Sequence, residues 1–186
     1  FRRKISTNTL QKIAFTAWEN SAVVHAKLFA KLIGKRNILS YTLPEIKTDH
    51  LEKMTTNFGL IQFSKINQPD LNSGYTLDDN ARALIAMCMH YELTADKNDL
   101  SAIHIYIDFI EYCLQPSGSF LNYVDIHQNF TEQNNEVNLD DANGRAIWAL
   151  GFMISKKSVL PEKLITKAIS ILLKCMPGLD TIHSTR

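Results

Sequence analysis

Long apolar runs are missing from these 186 residues, and so is any excess of charge of one sign. No stretch approaches the roughly 18 consecutive apolar residues that a membrane-spanning helix needs. The start, Phe1-Arg2-Arg3-Lys4, is not followed by a signal-type apolar segment. Because 20 Lys and Arg nearly cancel 19 Asp and Glu, no whole-chain field draws the chain to nucleic acid or to an anionic membrane. Neither partner is expected. Cysteine is scarce: Cys88, Cys113 and Cys175 are far apart, with no Cys-x-x-Cys and no nearby His pair. They read as buried free thiols, which points weakly to a reducing, cytoplasmic setting. No two of the six histidines have metal-ligand spacing, and neither a Gly-rich phosphate cradle nor Gly-x-Ser-x-Gly occurs. No metal or other cofactor is expected, and the Asn129-Phe130-Thr131 sequon carries no weight without a secretory signal.

What is present is helical periodicity. Phe15, Trp18, Ala22, Ala26, Phe29 and Ile33 fall on one helix face, predicting a first helix over roughly 9–34. Gly34 stops it, and an extended stretch runs on to Pro44. Thr48 or Asp49 is suited to cap a short helix through Leu51 and Met54, with Gly59 after it. Residues 60–74 form an irregular loop ending in Pro69, Asp70, Asn72, Ser73 and Gly74. A helix then starts at Asp78 or Asp79, and its partner over 99–114 carries Leu100, Ile103, Ile107, Ile110 and Leu114 on one face. After a connection over 115–138, a helix begins near Asp140 or Asp141. Pro161 opens the first turn of the last one. The pattern is all-α, two helical hairpins joined by long connections.

The hairpin repeats. Offset by 63 residues without a gap, Asp78-Asp79-Asn80-Ala81-Arg82-Ala83-Leu84-Ile85-Ala86 lies over Asp141-Ala142-Asn143-Gly144-Arg145-Ala146-Ile147-Trp148-Ala149, with five identities. Such a period is that of a helical hairpin array. Two hairpins alone leave open ends, so the array is expected to be incomplete. The bland expectation makes these acids helix caps and the arginines ties between hairpins. The sharper one has successive helix starts converging, so that Asp78, Asp79, Asp140 and Asp141 face a shared pocket floored by aromatics. Paired carboxylates are what glycoside hydrolysis uses, one as acid and one as base or nucleophile.

Four stretches together resemble a known family: Leu43-Pro44-Glu45-Ile46-Lys47-Thr48-Asp49-His50-Leu51, Gly59-Leu60-Ile61-Gln62, Gly74 to Leu84, and Gly144 to Gly151. They are similar to the α/α-toroid, six-hairpin-glycosidase-like domain at the C-terminal end of certain bacterial glycosyltransferases. Ala17-Trp18-Glu19-Asn20 with Leu28-Phe29 resembles the last helix of a GT-B glycosyltransferase. The resemblance implies an incomplete α/α toroid over 48–186, a linker over 37–47, and a transferase end over 1–36, with a fused glycosyltransferase upstream. It implies a carbohydrate partner. Candidate catalytic carboxylates are Asp78, Asp79 and Asp141, and candidate substrate-binding residues are His50, Tyr75, Asn80, Arg82 and Arg145. Tyr75 is the expected sugar-stacking ring, whereas Trp148 is expected in the core. The family's second motif, close to SEDSHGR, reads here Leu139-Asp140-Asp141-Ala142-Asn143-Gly144-Arg145, without its His. That departure makes a carbohydrate-binding or non-catalytic scaffolding role the alternative to catalysis.

Overall fold

The computed structural model describes residues 18–32, 34 and 45–177, and the chain divides into two units, 1–46 and 47–186. In the first unit the described helix is α1, Trp18–Leu32. Its Trp18, Phe29 and Leu32 side chains are exposed, while Phe15 and Ile33 of the expected face lie outside the described residues.

The second unit is mostly helical, as the periodicity requires. Its elements are α2 (Asp49–Met54), β1 (Ser64–Lys65), β2 (Gln68–Pro69), a 3-10 turn (Leu71–Ser73), β3 (Tyr75–Thr76), α3 (Leu77–Thr94) and α4 (Asp99–Cys113). They are followed by β4 (Tyr123–Val124), α5 (Gln133–Glu136), α6 (Asp140–Ser155) and α7 (Glu162–Cys175). The all-α class therefore holds, but the two long connections are ordered rather than irregular. β1 and β2 form a small antiparallel hairpin, and β3 pairs with β4, setting Tyr75 opposite Val124 and Thr76 opposite Tyr123. Two distant connections are thereby stitched together where α3 begins.

Helices α3 and α4 form one hairpin, α6 and α7 the other, and α3 lies against α6. The face of α4 bearing Ile103, Tyr106, Ile107, Ile110 and Cys113 is fully buried. Burying a side chain of this size contributes about 1.5–3 kcal/mol. On α6 the buried residues are Ala142, Asn143, Ala146, Ala149, Leu150 and Met153, three of them alanines. Short side chains let two helix axes approach closely. Helices α3 and α6 run parallel, because Arg145 near the start of α6 meets Asp78 at the start of α3, while Lys156 just past the end of α6 meets Glu92 near the end of α3 at 2.7 Å. Between α3 and α4, Ala95 takes a left-handed conformation, and the His90 ring and the buried Asp99 carboxylate share a 2.8 Å hydrogen bond across the turn.

All three cysteines are free and buried. Burial pushes the Cys88 thiol up to about 12 and raises the other two as well. Among the described residues no helix is long and apolar enough to cross a membrane.

Candidate functional site

The repeated Asp-x-Asn-x-Arg-Ala segments meet at one end of the helix array. Their acids are not the caps the sequence suggested. Helix α3 starts at Leu77 and is capped by Thr76, whose hydroxyl accepts the Asp79 N–H at 3.3 Å and donates to Asp79 Oδ2 at 2.6 Å. One hydroxyl thus caps the helix and pins the carboxylate of the third helical residue. The Asp78 N–H is taken by the Asn122 side-chain oxygen at 3.1 Å, and the Leu77 N–H by the Asn122 carbonyl at 2.9 Å. Residues of the second connection thus satisfy the first turn of the first hairpin. In the second copy the position equivalent to Thr76 is Leu139, without a side-chain cap. There the Asn138 side chain accepts the Asp140 N–H instead, at 2.7 Å.

The repeated asparagine has one role in both copies. Asn80 is fully buried; its Oδ1 accepts the Leu60 N–H at 2.8 Å, and its Nδ2 donates to the Thr76 and Leu60 carbonyls at 2.8 and 3.3 Å. Asn143 does the same to Phe120, accepting its N–H at 2.7 Å, and donates to the Phe120 and Leu139 carbonyls, each at 2.9 Å. Both N–H groups of each amide are thus engaged by backbone. Asn80, expected beside a substrate hydroxyl, instead clamps a loop peptide onto its helix. The clamped residues are themselves equivalent. Leu60 bridges to Thr55 after the end of α2, and Phe120 bridges to Leu114 after the end of α4. The repeat therefore extends upstream through segments that share little sequence.

The repeated Asp and Arg form a charged network. Arg82 donates to Asp78 Oδ2 at 2.9 Å and to Asp79 Oδ1 at 2.7 Å. Arg145 donates from Nε and Nη2 to Asp141 Oδ2, at 3.1 and 2.9 Å. Its Nε also lies 2.8 Å from Asp78 Oδ1 on the neighbouring hairpin. That contact is ionic without being a hydrogen bond, since the single Nε proton is directed at Asp141. Asp78 Oδ1 is buried and, among the described residues, receives no hydrogen bond. Burial raises the Asp78 pKa above its ordinary value, against the opposing pull of Arg82 and Arg145 and with the help of the neighbouring Asp79 and Asp141 charges. Arg145 is held protonated more firmly than usual, first by its hydrogen bond to Asp141.

Asp78 and Asp141 both line a cavity of about 130 Å3, together with Asn122, Tyr123 and Asn138. Of the sequence-predicted residues, the structure brings Asp78, Asp141 and Arg145 together here. Asp79 stands beside them with both carboxylate oxygens occupied by Thr76 and Arg82. Arg82 reaches the same acids from an exposed position. His50 is exposed on α2 and is not part of the cavity lining. Tyr75 is buried, its hydroxyl bonded to Thr56 at 3.1 Å and its ring edge-on to Phe58, so it offers no open face for stacking. The ring expected in the core, Trp148, is 58% exposed. Asn122, Tyr123 and Asn138 belong to no motif that marks a site; their only sequence signal is their place in the connection that precedes α6. A larger cavity of about 450 Å3 lies between α2 and α4, lined by Leu51, Glu52, Thr55, Met87 and Tyr106 among others, and contains none of the predicted site residues. No protein-family model matches the chain, and no curated protein matches it.

The raised pKa of Asp78 has a thermodynamic consequence. The folded chain holds this proton more tightly than the unfolded chain does, so the stability it contributes is complete below the unfolded value near 3.8 and is lost as pH rises through the folded value. Denaturant titrations of the protein and of Asp78→Asn from about pH 3 to about pH 7 are expected to show the variant gaining relative stability as pH rises. Parallel pH profiles would contradict this account.

Proposed function

We propose that the cavity between the starts of α3 and α6 binds the edge of a glycan, in a carbohydrate-active domain of the α/α-toroid class. The observation that carries the reading is a single one: Asp78 and Asp141, from successive hairpins, line one cavity. Carboxylates accept hydrogen bonds from sugar hydroxyls, and Asn122 and Asn138 add amide groups to the same lining. At about 130 Å3 the cavity has the liquid volume of only about four waters, at ~30 Å3 each. It suits a diol or hydroxymethyl edge, with the rest of the glycan lying across the surface.

In the processing version, two carboxylates facing one space are the arrangement glycoside hydrolysis uses. Asp78, its pKa raised by burial, is the proton-holding partner, and the more exposed Asp141 is the base or nucleophile. The sequence resemblance supports this substrate class, with a glycosyltransferase upstream as a fused partner. Calorimetry against a panel of neutral and acidic oligosaccharides is expected to give saturable heat with at least one member, weakened about tenfold or more by Asp78→Asn through loss of a charge-assisted hydrogen bond. Release of new reducing ends would establish processing. Absence of heat with every oligosaccharide would sink the glycan reading.

A second reading is favoured by the position of Arg145, whose guanidinium spans the two carboxylates. In that reading the acids serve only to tie adjacent hairpins, and the domain is a non-catalytic scaffold. The calorimetric panel separates the two.

A further inference from the structure

The exposed face of α6 is the repeat equivalent of a face that is covered on α3. On α3, the stripe Asp78, Ala81, Ile85, Cys88 and Glu92 runs along the side where α6 makes its ion pairs, and Ala81, Ile85 and Cys88 are buried. Moved by the 63-residue offset, the same stripe on α6 is Asp141, Gly144, Trp148, Gly151 and Ser155. Gly144, Trp148, Gly151 and Ser155 are all exposed. The converse holds at the other end. The α6 side turned to α3 carries Arg145, Ala149, Met153 and Lys156, and its equivalents on α3 are Arg82, Ala86, His90 and Leu93. Of these, Arg82, Ala86 and Leu93 are exposed.

The two free faces complement each other. Arg145 pairs with the Asp four residues earlier in its own helix and then reaches the Asp of the preceding helix. Arg82 makes the same pair within its own helix but, among the described residues, has no equivalent preceding helix to reach. Asp141 has no following arginine there. One face offers an aspartate, two glycines and an indole; the other offers an arginine, an alanine and a leucine, in the register already realised between α3 and α6.

We infer that the α6 face of one copy of this chain docks the α3 face of a second copy. Arg82 of the incoming copy then takes toward Asp141 the position that Arg145 holds toward Asp78. Trp148 is covered by the incoming helix, whose small residue at Ala86 leaves room for close approach. The contact is head-to-tail, so it leaves one free face of each kind and permits further addition until a ring closes.

The test uses the whole chain. Light scattering over a concentration series is expected to show mass rising above the monomer, and in a Trp18→Phe background the emission of Trp148 is expected to move to shorter wavelength as mass rises. Trp148→Glu is expected to weaken association about tenfold or more, as loss of a central aromatic anchor does. Asp141→Arg and Arg82→Asp are each expected to abolish association alone. Mixed one to one, they are expected to restore it, because each copy then meets an opposite charge across the mixed contact. Thermal melts by circular dichroism identify a variant that fails to fold, and Trp148→Glu supplies an independent arm. A monomer at every concentration, or association untouched by Trp148→Glu and by either charge reversal, would overturn the inference.

Discussion

Replacing Asn80 with alanine is expected to cost about 3 kcal/mol, a large share of the roughly 5–15 kcal/mol that holds a domain of this size folded. The side chain makes three hydrogen bonds from a fully buried position, two to the Leu60 peptide and one to the Thr76 carbonyl. Alanine supplies none of them. A buried N–H or carbonyl left without a partner costs about 1–3 kcal/mol, more than the modest net gain from making such a bond. The damage reaches the site, because Thr76 caps α3 and Leu60 anchors the connection that precedes it. Asn143→Ala is expected to lose a similar amount through Phe120 and Leu139. The exposed Asn135 offers a control, since its substitution removes only a solvated contact with Glu132. Urea denaturation checks this as a fall in midpoint at unchanged slope. A loss below about 1 kcal/mol would mean that water reaches the freed groups, and that the clamp is not what joins loop to helix.

Gly74→Ala is expected to be at least as damaging. Gly74 has φ of 64° and ψ of −147°, a region open essentially to glycine alone, where another residue costs about 1–3 kcal/mol in backbone strain. Space is lacking too: a Cβ would lie 2.3 Å from the Val124 carbonyl oxygen and 3.2 Å from Asp125 Cα. Both are backbone atoms and cannot rotate away. The strand pair β3–β4 must separate, and with it the contact by which Asn122 satisfies the first turn of α3. Loss of about 3 kcal/mol or more, with weakened glycan binding if the cavity is the site, is the expected outcome. Gly144→Ala provides the contrast. A Cβ added at Gly144 meets nothing within 4 Å among the described residues, and mid-helix alanine is favoured over glycine by about 1 kcal/mol. A Gly74→Ala protein as stable as the parent would show that β3 and β4 are not firmly paired.

Much of the architecture was legible in residue spacing. Of the face that periodicity marks on α4, Ile103, Ile107 and Ile110 are buried while Leu100 and Leu114 at its ends are half-buried, and the 63-residue offset relates two helices that are in fact parallel neighbours. The misreadings have physical causes. Trp148 lies on an apolar helix, but periodicity only says that a face is suited to burial; whether it is covered depends on which helix lies against it, and α6 meets α3 along the side of Arg145 and Lys156. Tyr75 stands at a loop-to-helix junction, which suggests access, yet pairing of β3 with β4 directs it into the cluster of Phe58 and Phe109. Asp78 and Asp141 are expected as caps because acids favour first turns. Thr76 takes that place in the first copy, since its hydroxyl both accepts the Asp79 N–H and donates to the Asp79 carboxylate.

The residues by themselves determined the helical class, the hairpin period and the presence of an Asp, an Asn and an Arg at fixed places in each helix start. They did so because helical periodicity and repetition are properties of one dimension. Only the tertiary structure decided what the three residues do: the asparagines are clamps on distant peptides, the arginine of the second copy spans carboxylates from two hairpins, and Asp78 is left with an unsatisfied oxygen beside a cavity. Those outcomes rest on backbone groups of Leu60 and Phe120 and on the distance between helix starts. Backbone donors and acceptors are alike in every residue but proline, so no side-chain pattern marks which of them an asparagine will reach.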